Sequence, residues 1–362
     1  MKPVDSILNT DRLNYLNIGL MLFACGVAFF VPFELFLIAY AVLGPAHYLT
    51  EISWLHERKY FSKGKWDFVF LGLAAIALFL TSYVLNPAGV FDADQTRAYS
   101  TACVAIAFIA ALAMVVLKEA YQRFIAVAII MVAAFISRSG MIFFSVFLPT
   151  LIHVYIFTGL FMLYGALKGR SRSGYISCLV FLVIPFLFVF FHPDPMAITE
   201  WGRRDYSQFE ALNLYMLNIW DANLYAWPPT TQGGVDLMVH GIYSSSIGIT
   251  FMRFIAFAYT YHYLNWFSKT TVIKWHKVSK VRMGVILLLW FASVAFYRYD
   301  YKLGFHVLFL LSFLHVFLEF PLNHVTFIGI FTEAKAIWSG RSPQAVAAAG
   351  TGKSRQVKSK KK

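Results

Sequence analysis

The stretch KGKWDFVFLGLAAIALFLTSYVLN, residues 63–86, indicates which class of protein this chain belongs to. No side chain from Phe68 to Leu85 is charged, and Lys63 and Lys65 stand just before this run. A helix needs roughly 20 mainly apolar residues to cross the hydrocarbon core of a bilayer. Basic residues concentrate in short loops on the cytoplasmic side of membrane proteins. The stretch is therefore typical of a membrane-spanning helix that begins at the cytoplasmic surface.

The composition of the whole chain agrees with this interpretation. Of its 362 residues, 59% are apolar and only 14% are charged, whereas an average soluble domain has about 25% charged residues. Such a chain has too few charges to cover a water-facing globule and too many apolar residues to be disordered. Because similar apolar runs continue to about residue 332, we expect an all-α polytopic membrane helix bundle, residues 1–339, as a single transmembrane domain.

The apolar runs predict about ten spans, or as few as eight because two of the runs are short. They cover residues 16–31, 34–55, 67–86, 98–117, 121–137, 141–166, 174–191, 241–266, 283–299 and 303–320. With both termini in the cytoplasm, the strongly basic loops fall on the cytoplasmic side, while Asp92 and Asp94 fall on the other side. This distribution follows the positive-inside rule and predicts a multi-pass protein of the cell's inner or plasma membrane.

Two segments lie outside the predicted spans. Residues 192–240 are predicted to be extracytoplasmic, with an interfacial helix from Phe209 to Trp220. Residues 340–362 are small and basic without periodicity, which predicts a disordered cytoplasmic tail. The net charge of +13 arises largely in the loops and this tail. We therefore expect anionic lipid headgroups as the counter-charge and no nucleic-acid partner.

Histidines deep in the predicted spans carry most of the chemical information. Glu51 follows His47 by four residues, and Glu319 follows His315 by four, so each pair lies on one helix face. An ionisable group inside a span is energetically expensive and usually faces the bundle interior, where it is paired or functional. Two His/Glu faces at similar depth are typical of a metal site in a bundle core.

Two further histidines lie at mid-depth or nearer the cytoplasmic side, His153 in the sixth run and His262 at the end of the eighth. Imidazole and carboxylate ligands without thiolate suit iron or zinc better than copper(I). We predict metal ligands at His47, His153, His262 and His315, with Glu51 and Glu319 as ligands or orienting residues of the catalytic set. The alternative is that these histidines are hydrogen-bonded packing residues and that Glu319 is a solvated charge.

Arg253 is a further charge well inside a predicted span, nine positions before His262. A buried guanidinium needs a carboxylate, phosphate or carbonyl partner. We predict that Arg253 belongs to the catalytic set and positions an anionic headgroup or the site itself. A structural ion pair with Glu51 or Glu319 is an equal alternative.

Residues 44–51, GPAHYLTE, resemble the Gly-x-Pro-His-Gly-x-x-Asp type motif of the Brp/Blh family of carotene-cleaving membrane oxygenases. Gly44, His47 and an acid four residues later are present, whereas the proline is displaced, Tyr48 replaces the following glycine, and Glu51 replaces aspartate. The family's later histidine pairs spaced four apart do not occur in this chain. The resemblance extends to histidine-rich membrane non-heme iron oxygenases in general. It implies that histidines at the cytoplasmic ends of spans hold iron near a lipid substrate, with His47 and Glu51 in that site.

No Walker A, GxGxxG, HExxH or GxSxG motif occurs in the sequence. We predict an integral membrane oxidoreductase with one or two non-heme irons at the cytoplasmic side. It would oxidise, desaturate, hydroxylate or cleave a membrane lipid or isoprenoid with dioxygen, with electrons from a cytoplasmic donor. One alternative is a metal-free lipid, acyl or phosphoryl transferase with a catalytic histidine. The other is a proton- or cation-coupled transporter that uses the His/Glu faces.

Overall fold

The structure is a computed structural model that describes residues 4–117, 119, 122, 143–220, 232–269 and 278–340, with side chains from residue 10 onward. Within these ranges all regular structure is helical. The helices are α1 Val4–Phe30, α2 Pro32–Glu57, α3 Asp67–Leu85, α4 Ala93–Val116, α5 Phe143–Gly169, α6 Arg172–Phe190, α7 Glu200–Tyr206, α8 Glu210–Trp220, α9 Gln232–Tyr243, α10 Ser246–Ser268, α11 Lys280–Tyr299 and α12 Tyr301–Trp338.

Eight of the described helices, α1 to α6 with α11 and α12, are long and apolar enough to cross a membrane. A ninth candidate is the pair α9 and α10, which meet at an angle of 55°. The prediction of an all-α polytopic helix bundle is therefore confirmed. Nine of the ten predicted apolar runs correspond to these helices, and the run at 121–137 lies outside the described residues except for residue 122. The cytoplasmic placement of both termini stays a prediction.

Helix α1 begins at Val4, before the apolar run at 16–31, and two further runs differ from the helices they predict. The run at 241–266 is divided because Ser245 begins a new helix, where its hydroxyl accepts a hydrogen bond from the Gly248 backbone N–H. The last run ends at residue 320, but α12 continues through Pro321 to Trp338. Buried polar residues such as Asn323 continue this helix into the bundle, and hydropathy alone does not detect such residues.

The segment between α6 and α9 contains α8, whose range agrees with the helix predicted from Phe209 to Trp220, together with the short helix α7. The Glu34 carboxylate fixes the start of α7, because it accepts hydrogen bonds of 2.8 Å from both the backbone N–H and the hydroxyl of Thr199. The Tyr243 hydroxyl donates to Glu210 at the start of α8, at 2.7 Å. This segment is therefore tied to the bundle at both helices. Its extracytoplasmic location and the interfacial placement of α8 stay predictions, and residues 341–362 of the predicted tail lie outside the described residues.

Four helices meet near the centre of the bundle. Helix α10 packs against α1, α2 and α5, and helix α12 packs against α2, α3, α4, α5 and α11. Two apolar cores result, one around α1, α2, α6 and α10 and the other around α3, α4, α5 and α12. Helices α2, α5, α10 and α12 lie at the junction of these cores, and each of them contributes one of the predicted histidine ligands.

Two of these four helices are irregular just before their histidine. Helix α2 contains a π-helical turn, Ala39–Leu43, immediately before Gly44 and Pro45. Helix α5 is π-helical over Phe143–Phe157 and is interrupted at Thr150, which follows Pro149. Proline has no backbone N–H to donate and its ring clashes with the carbonyl four residues earlier, so it disturbs a regular helix. Single π turns inside α-helices are frequent at functional sites.

Candidate metal centre

The imidazoles of four histidines from four helices meet in the bundle core. His47 is on α2, His153 on α5, His262 on α10 and His315 on α12, and each is 7% exposed or less. His262 Nε2 lies 3.0 Å from His47 Nε2, and His315 Nε2 lies 3.2 Å from His153 Nε2. One ligand atom from each of His47, His153 and His315 lies within 4.8 Å of the others. The sequence separations of these residues give no sign of this proximity.

Both predicted carboxylates lie in the same cluster. Glu51 Oε2 is 3.0 Å from His47 Nε2, as the spacing of four residues predicts. Glu319 is also fully within the core, at 2% exposure, but its carboxylate Oε2 lies 3.1 Å from His153 Nδ1 on another helix. The structure therefore brings six of the seven predicted site residues together and places Glu319 in the interior rather than at a solvated helix end.

Two buried contacts of the cluster are close but lack the geometry of a hydrogen bond. They are the contacts of Glu51 Oε2 with His47 Nε2 and of Glu319 Oε2 with His153 Nδ1. A buried polar atom without a partner costs roughly 1–3 kcal/mol, and such atoms are few in native structures. The Nε2 atoms of the four histidines meet beside these carboxylates, and lone pairs of nitrogen and carboxylate oxygen that converge in this way fit the coordination of a metal cation.

Thr158 orients one of the histidines. Its hydroxyl Oγ1 lies 2.8 Å from His262 Nδ1, and both side chains are buried. When His262 Nδ1 carries the proton and donates it to Thr158, the Nε2 lone pair faces the cluster, which is the tautomer that a metal ligand needs. Thr158 was not among the predicted site residues. Its position five residues after His153, on the same helix, is the only signal that the sequence offers.

Aromatic residues form the wall beside the histidines. The Tyr48 ring stacks on His315 with ring centroids 4.1 Å apart, and its hydroxyl is 3.0 Å from the Tyr263 hydroxyl. A Cβ atom at Gly44 would lie 3.0 Å from Tyr48 Oη and 3.3 Å from Tyr263 Oη. Gly44 is therefore the residue that leaves room for the tyrosine pair. These tyrosines are further residues of the site that sequence analysis did not select.

Lys269 places a positive charge near the two carboxylates. It is the residue that follows α10. Burial lowers the pKa of Lys269 to about 8, and the charges of Glu51 and Glu319 act in the opposite direction. Its ammonium group therefore offsets part of the negative charge that the two carboxylates bring into the core.

Arg253 does not belong to the cluster. Nine residues separate it from His262 on α10, which corresponds to about 13 Å along a helix axis. Its Nε donates to the Phe29 carbonyl oxygen at 3.1 Å, and its Nη2 donates to the Pro193 carbonyl oxygen. The guanidinium carbon also lies 5.3 Å from the centre of the Phe29 ring. Carbonyl groups at the ends of α1 and α6 thus satisfy this buried charge, and the expected ion pair with Glu51 or Glu319 is not formed.

His324 is buried without belonging to the metal cluster. It lies on α12, nine residues after His315, and its Nε2 is 2.9 Å from the Phe108 carbonyl oxygen. His324 is therefore a packing residue that a hydrogen bond holds in place.

A cavity of about 280 Å³ opens beside the cluster, and we call it the channel. Its inner end is formed by His153, His262 and His315, and its other end by Gln208 and Phe209 just before α8. Between these ends the wall is mainly aromatic, with residues from α2, α5, α10 and α12. Apolar walls with a few convergent polar groups are typical of small-molecule sites. The channel therefore gives an apolar molecule a place next to the imidazoles.

Comparison with protein-family models, with curated proteins and with solved structures found no match for this chain. The resemblance of residues 44–51 to the carotene-cleaving oxygenases therefore stays a hypothesis that rests on those residues, and a function has to be argued from the geometry of the site.

Proposed function

We propose that this chain is an integral membrane oxidoreductase whose histidine cluster binds iron. The ligands would be drawn from His47, His153, His262 and His315, with Glu51 and Glu319 as further ligands or as residues that orient the imidazoles. The observation that supports this most strongly is the pair of Nε2–Nε2 distances, 3.0 and 3.2 Å, between histidines of four separate helices. Four buried imidazoles beside two buried carboxylates fit a shared cation better than packing alone.

The channel favours iron over zinc. Zinc activates water for attack on polar bonds such as esters and amides. The channel wall, however, is mostly apolar and aromatic, so it suits a hydrocarbon chain that offers only C–H and C=C bonds. Oxidation by dioxygen at a redox-active metal is the chemistry that modifies such bonds.

The reaction class determines whether an electron donor is needed. Cleavage of a carbon–carbon double bond places one atom of dioxygen on each carbon and needs no outside electrons. Hydroxylation reduces one atom of dioxygen to water and desaturation reduces both. Each needs two electrons and two protons per turnover, and a cytoplasmic donor would supply the electrons. In both cases the protein positions an apolar chain beside the histidines and excludes bulk water, and the bound iron supplies the reaction with dioxygen.

The two alternatives find less support in the geometry. A metal-free transferase would need Arg253 to hold a phosphate near a catalytic histidine, but its N–H groups are directed to the carbonyls of Phe29 and Pro193. A proton-coupled transporter would use the same His/Glu pairs. It differs from the oxidoreductase because it consumes no oxygen and yields no modified lipid.

Oxygen consumption tests this proposal. The iron-loaded protein in lipid nanodiscs is given a membrane-lipid extract and a chemical reductant under ¹⁸O₂, and lipids are analysed by mass spectrometry. We expect oxygen uptake with a modified lipid product, and loss of both in the double variant His47→Ala, His315→Ala. His324→Ala is the matched control, because it removes a buried histidine outside the cluster. Equal oxygen uptake by the wild type and the double variant would overturn the proposal.

A further inference from the structure

A second cavity of about 860 Å³ adjoins the channel, and we call it the vestibule. It lies between α2, α7 and the turn that joins α11 to α12. Ile38 and Val42 form part of an apolar wall, and Ile38 is 55% exposed on the helix surface. Arg298 and Lys302 form part of a charged wall. An apolar wall beside a basic one is the arrangement found where acyl chains meet polar headgroups.

The positive charge of the vestibule is only partly compensated. Three cations line it, Arg204, Arg298 and Lys302, against two carboxylates. Asp205 pairs with Arg204 at 2.8 Å, and Asp300 accepts a hydrogen bond of 2.6 Å from the Leu303 backbone N–H. Among the described residues Arg298 and Lys302 form no ion pair. These two cations are therefore available to an anionic group.

Only one layer of side chains separates the vestibule from the channel. Gln208 lines both cavities. The Phe209 ring, in the channel wall, lies 6.3 Å from the Tyr301 ring in the vestibule wall. Tyr40 in the channel wall and Tyr297 in the vestibule wall are also neighbours, with ring centroids 6.3 Å apart. A chain that displaces the Phe209 ring would pass from one cavity to the other.

The dimensions of the channel suit one extended chain. Phe305 lies near its Phe209 end, with ring centroids 5.1 Å apart, and His315 lies at its inner end. Ten residues of α12 separate them, which corresponds to about 15 Å. A volume of about 280 Å³ spread over that length leaves a narrow cross-section, which admits an alkyl or polyene chain more readily than a fused ring system or a two-chain lipid.

We propose that the vestibule and the channel together bind a single-chain amphiphile with an anionic head. The head lies on Arg298 and Lys302, and the apolar chain passes Phe209 toward His153, His262 and His315. Because the head is held in one place, the same carbon atoms of each bound amphiphile lie next to the histidines. The distance from the head therefore determines which carbon atoms react. The oxidation of that chain rests on the proposed function, but its binding needs no metal.

Photolabelling with a fatty acid tests this inference. The probe is palmitic acid with a diazirine near its methyl end, applied to the full-length protein in nanodiscs, and labelled peptides are identified by mass spectrometry. We expect label on the channel residues Phe309 and Phe313. The double variant Arg298→Gln, Lys302→Gln should lower this labelling by about 10-fold, since each basic residue contributes to attraction of an anion. Arg97→Gln, which removes an exposed basic residue on α4, is the matched control.

Two further arms make the outcomes distinct. A probe with the same tail and an uncharged alcohol head should label the channel about 10-fold less than the acid, and equal labelling would overturn the anionic head. The metal-free wild type should keep the labelling of the iron-loaded wild type, because binding precedes chemistry. If the metal-free protein keeps its labelling but the iron-loaded wild type takes up no oxygen, the proposed function is refuted and the amphiphile site is not. Labelling of the wild type outside the channel would refute the amphiphile site alone.

Discussion

His47 has a pattern of contacts that a metal-free imidazole satisfies poorly. Its Nε2 lies 3.0 Å from both His262 Nε2 and Glu51 Oε2. One ring nitrogen offers either one proton or one lone pair, so it cannot serve both neighbours when Glu51 and His262 are both acceptors. A cation that takes the lone pairs of all three groups removes the conflict. This is the residue-level argument for a metal rather than for a hydrogen-bonded packing cluster.

Glu51→Gln separates these two interpretations. The amide keeps the shape of the side chain but removes its charge, so iron affinity should fall by about 10- to 100-fold. The thermal stability of the metal-free protein should stay equal or rise, because a buried charge without full compensation is removed. Iron titration and thermal unfolding of the same samples measure both effects. Unchanged affinity together with a large loss of stability would instead indicate a structural hydrogen bond.

Thr158→Val tests the orientation of His262. The isosteric side chain lacks the hydroxyl that lies 2.8 Å from His262 Nδ1. We expect iron affinity to fall by about 10- to 100-fold, as for other partners that fix a ligand imidazole. Thr158→Ser keeps the hydroxyl and should retain most of the affinity. A serine variant as weak as the valine variant would show that packing of the methyl group, and not the hydrogen bond, matters here.

The sequence predicted which residues form the site better than it predicted which of them contact each other. His47 and Glu51 share a face at a spacing of four, so this contact could be predicted. Glu319 has the same spacing from His315, yet its carboxylate lies against His153. Contacts between helices depend on how the helices pack, and spacing along one helix carries no information about that. For the same reason the carbonyl partners of Arg253 could not be predicted.

At the scale of the elements, irregular backbone precedes two of the four histidines. Pro45 follows the π turn Ala39–Leu43 of α2, two residues before His47. A π turn adds a residue to the helix and so changes the direction in which all later side chains point. The position of His47 in the cluster therefore depends on this turn. Apolar periodicity gave the extent of α2 but not this change of direction.

Pro45→Ala tests the role of that turn. The new backbone N–H permits a regular helix, which rotates the following residues about the axis of α2 and moves His47 out of the cluster. We expect oxygen uptake to fall by about 100-fold or more, because small misplacements of a reacting group are costly, while the helical circular dichroism signal is unchanged. Pro185→Ala in α6, a proline inside a helix that contributes no histidine, is the control. Full activity in Pro45→Ala would mean that the π turn does not position His47.

At the scale of the whole molecule, the basic loops predict the orientation in the membrane. Arg282 Nη1 lies 3.2 Å from Glu57 Oε1, so the end of α2 and the start of α11 lie on the same side of the bundle. The positive-inside rule predicts that this side is cytoplasmic. Hydropathy and charge were sufficient to predict the bundle, because both follow from the bilayer as solvent. The channel and the vestibule required the packing of helices and could not be predicted.

Cysteine accessibility tests this orientation. Single cysteines at Lys63 and Arg282 should react with a membrane-impermeant thiol reagent only after the membrane is opened. Cysteines at Asp92 and Lys302 should react in intact cells. The native Cys25, Cys103 and Cys178 lie within the helices α1, α4 and α6 and serve as the background signal. The reverse pattern would place the vestibule on the cytoplasmic side.

The central claim is that the four histidines hold a metal ion, and elemental analysis of the purified protein tests it most directly. The protein is purified in detergent, reconstituted with Fe(II) without oxygen, freed of unbound metal and analysed for iron per chain. We predict a near-stoichiometric iron content in the wild type and in His324→Ala, and its loss in the double variant His47→Ala, His315→Ala. A folded wild type that stays free of metal, or a double variant that retains the iron of the wild type, would contradict the account.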